Sequence, residues 1–355
     1  MKLNILVTAA GSAISQGIIK SIKMSDLDCN ITATDNQPYA AGLYRGNAGY
    51  LVPLAKSPDF IDKIIKICKK EHIHGILVGT DYELLSFSEN KEKIEKETNA
   101  KVIVSPSEII KIANDKWLTQ KFLIDNNLPH IPSVLPKDID KLIKQEGFPL
   151  IIKPRIGDSS KDTYIVKDKK ELEERISFLL NKKFDNNYLS KNIGPIIQKY
   201  LVNEKEEYTS TTLTFDKKCY GILTMKREMK FGGHTTKAIV EDFFELNKKI
   251  KKVAEVLNAF GPANFQSRLF DDTPLIFEIN CRFSGTTPFC SEIGFNTVEA
   301  AIRKIILGEK IKKLSYKKGV ILRYFNEVFI PSREIEKISK FGFIKNSKSK
   351  VNEIF

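Results

Sequence analysis

At 355 residues and 40.4 kDa, the chain exceeds one small core and suits two or three domains. Hydrophobic residues at 42% and charged residues at 28% exclude wholesale disorder, and no apolar run approaches the roughly 20 residues that a membrane helix needs. The formal charge of +13 raises nucleic acid as a partner, but 48 of the 57 basic residues are Lys and nine are Arg, the signature of a solvated surface.

Residues 311–355 hold 11 Lys and Arg against 4 acids, so over half of the positive excess sits in the tail. The five cysteines (Cys29, Cys68, Cys219, Cys281, Cys290) contain no C-x-x-C pair and suit neither a disulfide framework nor a zinc ribbon. From Met1 the chain enters a strand-like run at once, without the cleavage region of a signal peptide. A reduced, cytoplasmic, soluble protein is expected.

Residues 3–8 (LNILVT) read as a buried strand, followed by a helix through Ile14, Ile18, Ile19 and Ile22. A second strand, 31–34, ends in Asp35. Ser57-Pro58-Asp59 predicts a helix start with Ser57 as N-cap, and the helix buries Phe60, Ile61, Ile64, Ile65 and Cys68. Strands at 75–78 and 101–104 complete an alternation that means an open parallel sheet, with Gly11, Asp35 and Asp81 at its carboxyl edge. GSAISQG lacks the second glycine of a dinucleotide fingerprint, so a scaffolding sheet is preferred to a cofactor domain. From Ser107 one helix is expected through Ile109, Trp117 and Phe122, stopped by Pro129 and Pro132. A strand through 148–154 ends in Lys153-Pro154, a loop RIGDSSKD follows, and then a strand at 163–166 and a charged helix. Strands at 195–198, 208–215 and 220–225, a helix over 245–259 and a hairpin over 263–280 are antiparallel in pattern. A short strand at 320–324 belongs to the tail, which reads as a small appended unit.

The hairpin carries the sharpest chemistry. Alternation puts Asn264, Gln266 and Arg268 on one face of the first strand and Ile276, Glu278 and Asn280 on one face of the return strand. A turn centred on Asp272 sets Gln266 across from Glu278, with Asn280 beside them. One carboxylate among amide oxygens suits Mg²⁺, which retains waters and takes phosphate oxygens as further ligands. Arg282 follows, placed to reach anionic oxygens. Lys153, at a strand end beside a turn-rich loop, can hold a nucleotide phosphate. The apolar strand edge Ile196–Leu201 can meet adenine through its backbone, with Glu204 or Glu207 for ribose hydroxyls.

In this order, NDKWLTQKFLIDNNLPHIP, FPLIIKPRIGDSS, IIQKYLVNEKEEYT and NFQSRLFDDTPLIFEINCRFSG resemble the ATP-grasp superfamily, in particular proteins like the carbamoyl-phosphate synthetase large subunit. The resemblance covers roughly residues 1–310. It implies a pre-ATP-grasp parallel-sheet domain (1–110), a linker helix and lid (111–195), an antiparallel catalytic subdomain (196–310) and a basic extension (311–355). Residue by residue, it implies that Lys116 and Lys153 contact ATP phosphates. Gln198, Lys199, Tyr200 and Leu201 would form the adenine hinge, and Glu207 (or Glu204) would take the ribose. Gln266, Glu278 and Asn280 would hold Mg²⁺ or Mn²⁺, Arg282 would steady an acyl phosphate, and Lys237 would reach the transferring phosphoryl group. Arg155, Arg227 and Arg282 fall among these segments, where anion recognition favours Arg. Cys281 is expected as buried filler rather than a nucleophile, and His234 borders the site in a Gly-rich loop.

The implied activity is an ATP-dependent carboxylate–amine ligase acting through an acyl phosphate on small-molecule substrates, with a homodimer left open. An acyl-phosphate-forming kinase and a non-catalytic nucleotide-binding subunit are the rival readings. Residues 148–190 are expected to act as a lid closing over nucleotide.

Overall fold

The computed structural model describes residues 2–157, 161–182, 193–201, 206–230, 234–324 and 326–351. Strands Leu3–Val7, Cys29–Asp35, Ala48–Leu51, Gly75–Leu77 and Lys101–Ile103 pair in parallel. Successive side chains enter opposite layers. Leu6, Ile76 and Val102 pack with Phe60, Ile64 and Phe87 on one face. Ile5, Leu77 and Ile103 pack with Ile18, Ile19 and Ile22 on the other. Burial on both faces is what an all-parallel sheet requires. The second layer also contains Leu213, Phe215, Phe283, Val298 and Ile302 from the C-terminal half, so one core joins the two sheets.

Two helix starts differ from expectation. Ser57 and Pro58 lie in a turn; the helix is Phe60–Lys70, with Asp59 at its N-cap and Ser57 hydrogen-bonded to the Asp59 carboxylate. The helix from Ser107 breaks in two, Ser107–Asn114 and Lys116–Asp125. Asp115 is extended at the break, and its Oδ1 accepts from the amides of Trp117 (2.9 Å) and Leu118 (3.4 Å), an N-cap that restarts the helix.

The segment expected to act as a lid forms a four-stranded antiparallel sheet in the order Ser133–Val134, Pro195–Lys199, Leu150–Pro154, Tyr164–Val166. Leu150, Ile152, Val166 and Ile197 close its core with Leu142, Leu172 and Leu179 from the flanking helices. Strand Pro195–Lys199, assigned from sequence to the catalytic subdomain, thus belongs to the lid sheet because Ile197 packs there.

The second large sheet is antiparallel, in the order Thr273–Asn280, Gly261–Phe270, Glu207–Phe215, Lys218–Lys230, His234–Val240, Gly319–Leu322. Helix Phe244–Leu257 covers one face, burying Leu246, Ile250, Val253, Ala254 and Leu257, a spacing that places all five on one stripe. Each large aliphatic chain so buried contributes about 1.5–3 kcal/mol.

The tail is no appended unit. Gly319–Leu322 extends the catalytic sheet beside His234–Val240. Phe343–Lys345 crosses to the N-terminal sheet and pairs antiparallel with Ala48–Leu51.

Candidate active site

A cavity of about 460 Å³ lies between the lid, the catalytic sheet and the carboxyl edge of the parallel sheet. Apolar walls at one end come from Ile131, Ile151, Leu201 and Phe277, three of which form a small buried cluster with Leu275. Lys199, Tyr200 and Leu201 leave the lid sheet here. The Gln198 side chain instead donates to Ser133 Oγ (2.8 Å) and braces the hinge.

Expected and observed hairpin registers agree at the residue that matters, by a route the sequence did not disclose. The turn is Asp271–Asp272, both at positive φ, which alone would put Gln266 out of step with Glu278. A bulge between Gln266 and Ser267 inserts Phe277 and restores the Gln266–Glu278 and Asn264–Asn280 pairs. It also reverses the faces. Ile276, expected beside Glu278, is buried with Phe265 and Ile279, while Phe277 lines the cavity.

The polar floor is one continuous hydrogen-bonded chain. Glu207 Oε1 accepts from Arg227 Nε (3.0 Å), and Arg227 Nη2 donates to Gln266 Oε1 (2.8 Å). Gln266 Nε2 donates to Glu278 Oε1 (3.0 Å), which also accepts from Asn280 Nδ2 (2.8 Å). Asn280 Oδ1 accepts from Arg282 Nη2 (2.9 Å), and Arg282 pairs with Asp81 at the edge of the parallel sheet. Because arginine only donates, both amide oxygens turn toward arginines and both amide nitrogens toward the carboxylate. Of the three expected ligands, only the Glu278 carboxylate presents oxygen that is not turned to an arginine, so a hard cation there would take its other ligands chiefly from water and phosphate oxygens. Among the described residues no cluster of three His, Cys, Asp or Glu is placed to hold a metal.

Lys153 projects from the end of Leu150–Pro154 and lines the cavity, buried, with its ammonium 5.8 Å from the Phe277 ring. Burial, then the nearby charge of Lys116, pushes its pKa down to about 7. Lys116 opens helix Lys116–Asp125, and its Nζ donates to Gly157 O (2.8 Å).

Three of the singled-out residues have charged partners within the protein. Glu207 lines the cavity, and its oxygens are engaged by Arg227 and, at 3.5 Å, by Arg268. Its alternative, Glu204, lies outside the described residues. Lys237 is not among the lining residues; its strand turns it to Glu228, 2.8 Å away. Arg155 pairs through Nε (3.0 Å) with Asp115 and ties the lid to the linker helix. Within the expected lid, residues 158–160 and 183–190 are outside the described residues, as are 231–233 of the Gly-rich loop; His234 lines the cavity.

Cys281 is buried and burial pushes its thiol up to about 12, which suits filler and not a nucleophile. Asp35 is also structural, since its Oδ2 accepts from Gly11 N (2.7 Å) and its Oδ1 from Gln37 N (2.9 Å). Gly79 is required by close approach, because a Cβ there would meet Ser15 Oγ at 1.7 Å.

Sequence reasoning missed Arg323, which lines the cavity with Ser284, Gly285 and Thr286. It stands in the tail, where Arg323 and Arg333 among nine lysines were the available signal.

The lid-side sheet and the catalytic sheet thus flank the cavity, with residues 199–201 at one end and the Gly261–Asn280 hairpin as its floor. Two parts of the chain match family models: residues 196–328 match the one described as "ATP-grasp in the biosynthetic pathway with Ter operon", and residues 5–103 match "PylC-like, N-terminal domain". The carbamoyl phosphate synthase large chain of Pyrococcus furiosus is 24% identical over 282 residues, 75% of this chain and 26% of that protein. That of Pseudothermotoga lettingae is 26% identical over 278 residues, covering 74% and 23% respectively. The chain thus spans about a quarter of the length of these curated relatives. Among solved structures, N5-carboxyaminoimidazole ribonucleotide synthetase from Thermus thermophilus aligns with TM-score 0.68 at 14% identity, over 94% of this chain and 86% of that one. The biotin carboxylase domain of the Hydrogenobacter thermophilus 2-oxoglutarate carboxylase, a dimer in complex with MgADP and bicarbonate, aligns with TM-score 0.67 at 16% identity, over 89% and 73%. These likenesses establish the fold. Among the described residues no helix is long and apolar enough to cross a membrane.

Proposed function

We propose that the protein is an ATP-dependent carboxylate–amine ligase. The observation that carries this reading is the single cavity shared by Lys116, Lys153, the hinge residues 199–201 and the Gln266–Glu278–Asn280–Arg282 chain. Adenine would lie against Ile151, Leu201 and Phe277 at the hinge, with the phosphates directed toward Lys153 and Lys116. Glu278 would hold Mg²⁺ or Mn²⁺, joined by Asn280 and Gln266 once their amide oxygens turn from the arginines to the ion. When bound, the ion would neutralise charge on the phosphate oxygens.

A substrate carboxylate oxygen attacks the γ-phosphorus as the bond to the ADP oxygen breaks, giving an acyl phosphate. An amine nitrogen then attacks the acyl carbon, the bond to phosphate breaks, and the nitrogen loses a proton. Arg282, oriented by Asp81 and Asn280, faces the charge that develops on the acyl phosphate. Closure of the lid against the hairpin excludes water, which would otherwise hydrolyse this intermediate. The substrates are small molecules, and the five free cysteines suit a reducing cytoplasm.

Incubation with MgATP, hydroxylamine and a panel of carboxylic acids tests the reading. A ligase gives ADP and a hydroxamate, both dependent on the acid. ADP release that needs no added amine would favour the acyl-phosphate kinase, and nucleotide binding without ADP formation under any mixture would favour a non-catalytic subunit.

A further inference from the structure

Four arginines line the cavity: Arg227, Arg268, Arg282 and Arg323. The first two pair with Glu207 and the third with Asp81. Arg323 differs. Its Nε donates to Thr235 O (2.9 Å) and its Nη2 to Gly285 O (2.5 Å), and its guanidinium lies over Phe289, 4.7 Å from the ring centre. No carboxylate of the described residues forms an ion pair with it, and neither of these side-chain bonds uses Nη1.

A guanidinium held by backbone carbonyls on two segments and stacked on an aromatic ring is fixed in direction before any ligand arrives. Its backbone amide also donates to Thr236 O (2.8 Å), so its own strand fixes the base of the side chain. Burial disfavours the isolated cation, and an anion entering the cavity would offset that cost. The surroundings are hydroxyls and backbone: Ser284, Thr286 and Gly285 on one side, Thr235 and His234 on the other. Arg323 contacts the Ser284–Thr286 segment that follows Arg282 in the chain, not the hinge residues 199–201, which suits a small substrate rather than the nucleotide base.

We propose that Arg323 anchors a carboxylate of the small-molecule substrate, through the planar two-point contact that guanidinium makes with carboxylate. This rests on the ligase reading for what occupies the cavity and adds to it the recognising residue and the ligand class. The carboxylate belongs either to the donor acid itself or to an acceptor that carries an acid group besides its amine. Both sources share the same chemistry at Arg323.

The test uses the full chain and a panel of acetate, succinate, malate and the standard amino acids. Each is added with and without a non-hydrolysable ATP analogue and Mg²⁺, and thermal shift is followed by calorimetry. At least one panel acid should bind the wild-type protein and bind Arg323→Gln at least about tenfold more weakly, with analogue affinity unchanged. Arg323→Lys keeps the charge and loses the fork, so it should fall between the two; it also serves if Arg323→Gln does not fold. A donor acid would trigger hydroxamate formation alone, whereas an acceptor would stimulate ADP release only beside a donor. Panel acids that bind Arg323→Gln and Arg323→Lys as well as wild type would overturn the proposal, as would a wild-type protein that binds no panel acid. Failure of the ligase reading has a different signature: carboxylate binding through Arg323 with no ADP formed from ATP.

Discussion

At the scale of single residues, Lys153 and Glu278 are held in opposite ways. Glu278 has amide donors on one oxygen, from Gln266 and Asn280, so Glu278→Gln keeps the shape and removes the charge. Turnover should fall by about 10²–10³ while the melting temperature stays close to wild type, and a folded variant with full magnesium-dependent turnover would refute the metal assignment. Lys153 is buried with a pKa near 7, below its unfolded value of 10.5. Between those values the unfolded chain binds the extra proton. This residue's contribution therefore makes stability rise with pH through the window, and its burial penalty is complete below about pH 7. Phosphate should favour the charged form, so nucleotide binding near pH 8 should take up protons. Calorimetry in two buffers of different ionisation enthalpy reads that uptake, which Lys153→Met should abolish along with about tenfold of ATP affinity. Identical proton uptake in wild type and Lys153→Met would place the phosphate site elsewhere.

Among the elements, the catalytic hairpin depends on its turn. Asp271 and Asp272 have φ of 45° and 56°, a two-residue turn whose second position favours glycine. Asp272→Gly should leave activity intact and change stability by no more than about 1 kcal/mol, in the stabilising direction. Asp272→Pro cannot adopt that φ, and should cost about 2–3 kcal/mol and uncouple Gln266 from Glu278. Equal activity in the two variants would show that the turn does not set the register. Much of this architecture is legible from periodicity: the alternation of 261–280 and the stripe of Phe244–Leu257 predict their partners because packing there obeys the local repeat. The Phe277 bulge, the break at Asp115 and the arginine pairing of Glu207 are not legible. Pairings outside the local repeat accompany two of them, Arg155 with Asp115 and Arg227 with Glu207.

For the whole molecule, the tail connects two sheets that have different roles. Its strand Gly319–Leu322 closes the catalytic sheet and delivers Arg323, whereas Phe343–Lys345 covers the edge of the parallel sheet. At the second site Ile344 is 2% exposed, Phe343 stacks on Tyr50 at 5.9 Å, and Lys345 pairs with Glu71. Glu334 further fixes the turn beyond by accepting from Lys348 N (2.9 Å). Removing residues 343–355 should therefore expose a strand edge and lose about 2–5 kcal/mol, mainly the burial of Ile344 and Phe343. None of the described residues of this stretch lines the cavity, so on the ligase reading ATP-analogue affinity should survive at temperatures where the protein is folded. Removing 312–355 deletes Arg323 as well, and should abolish carboxylate binding in addition to the loss of stability. Thermal unfolding and calorimetry on the two truncations separate the roles. If the shorter deletion also loses carboxylate binding while folded, the two strands of the tail act as one unit and the division between sheets does not hold.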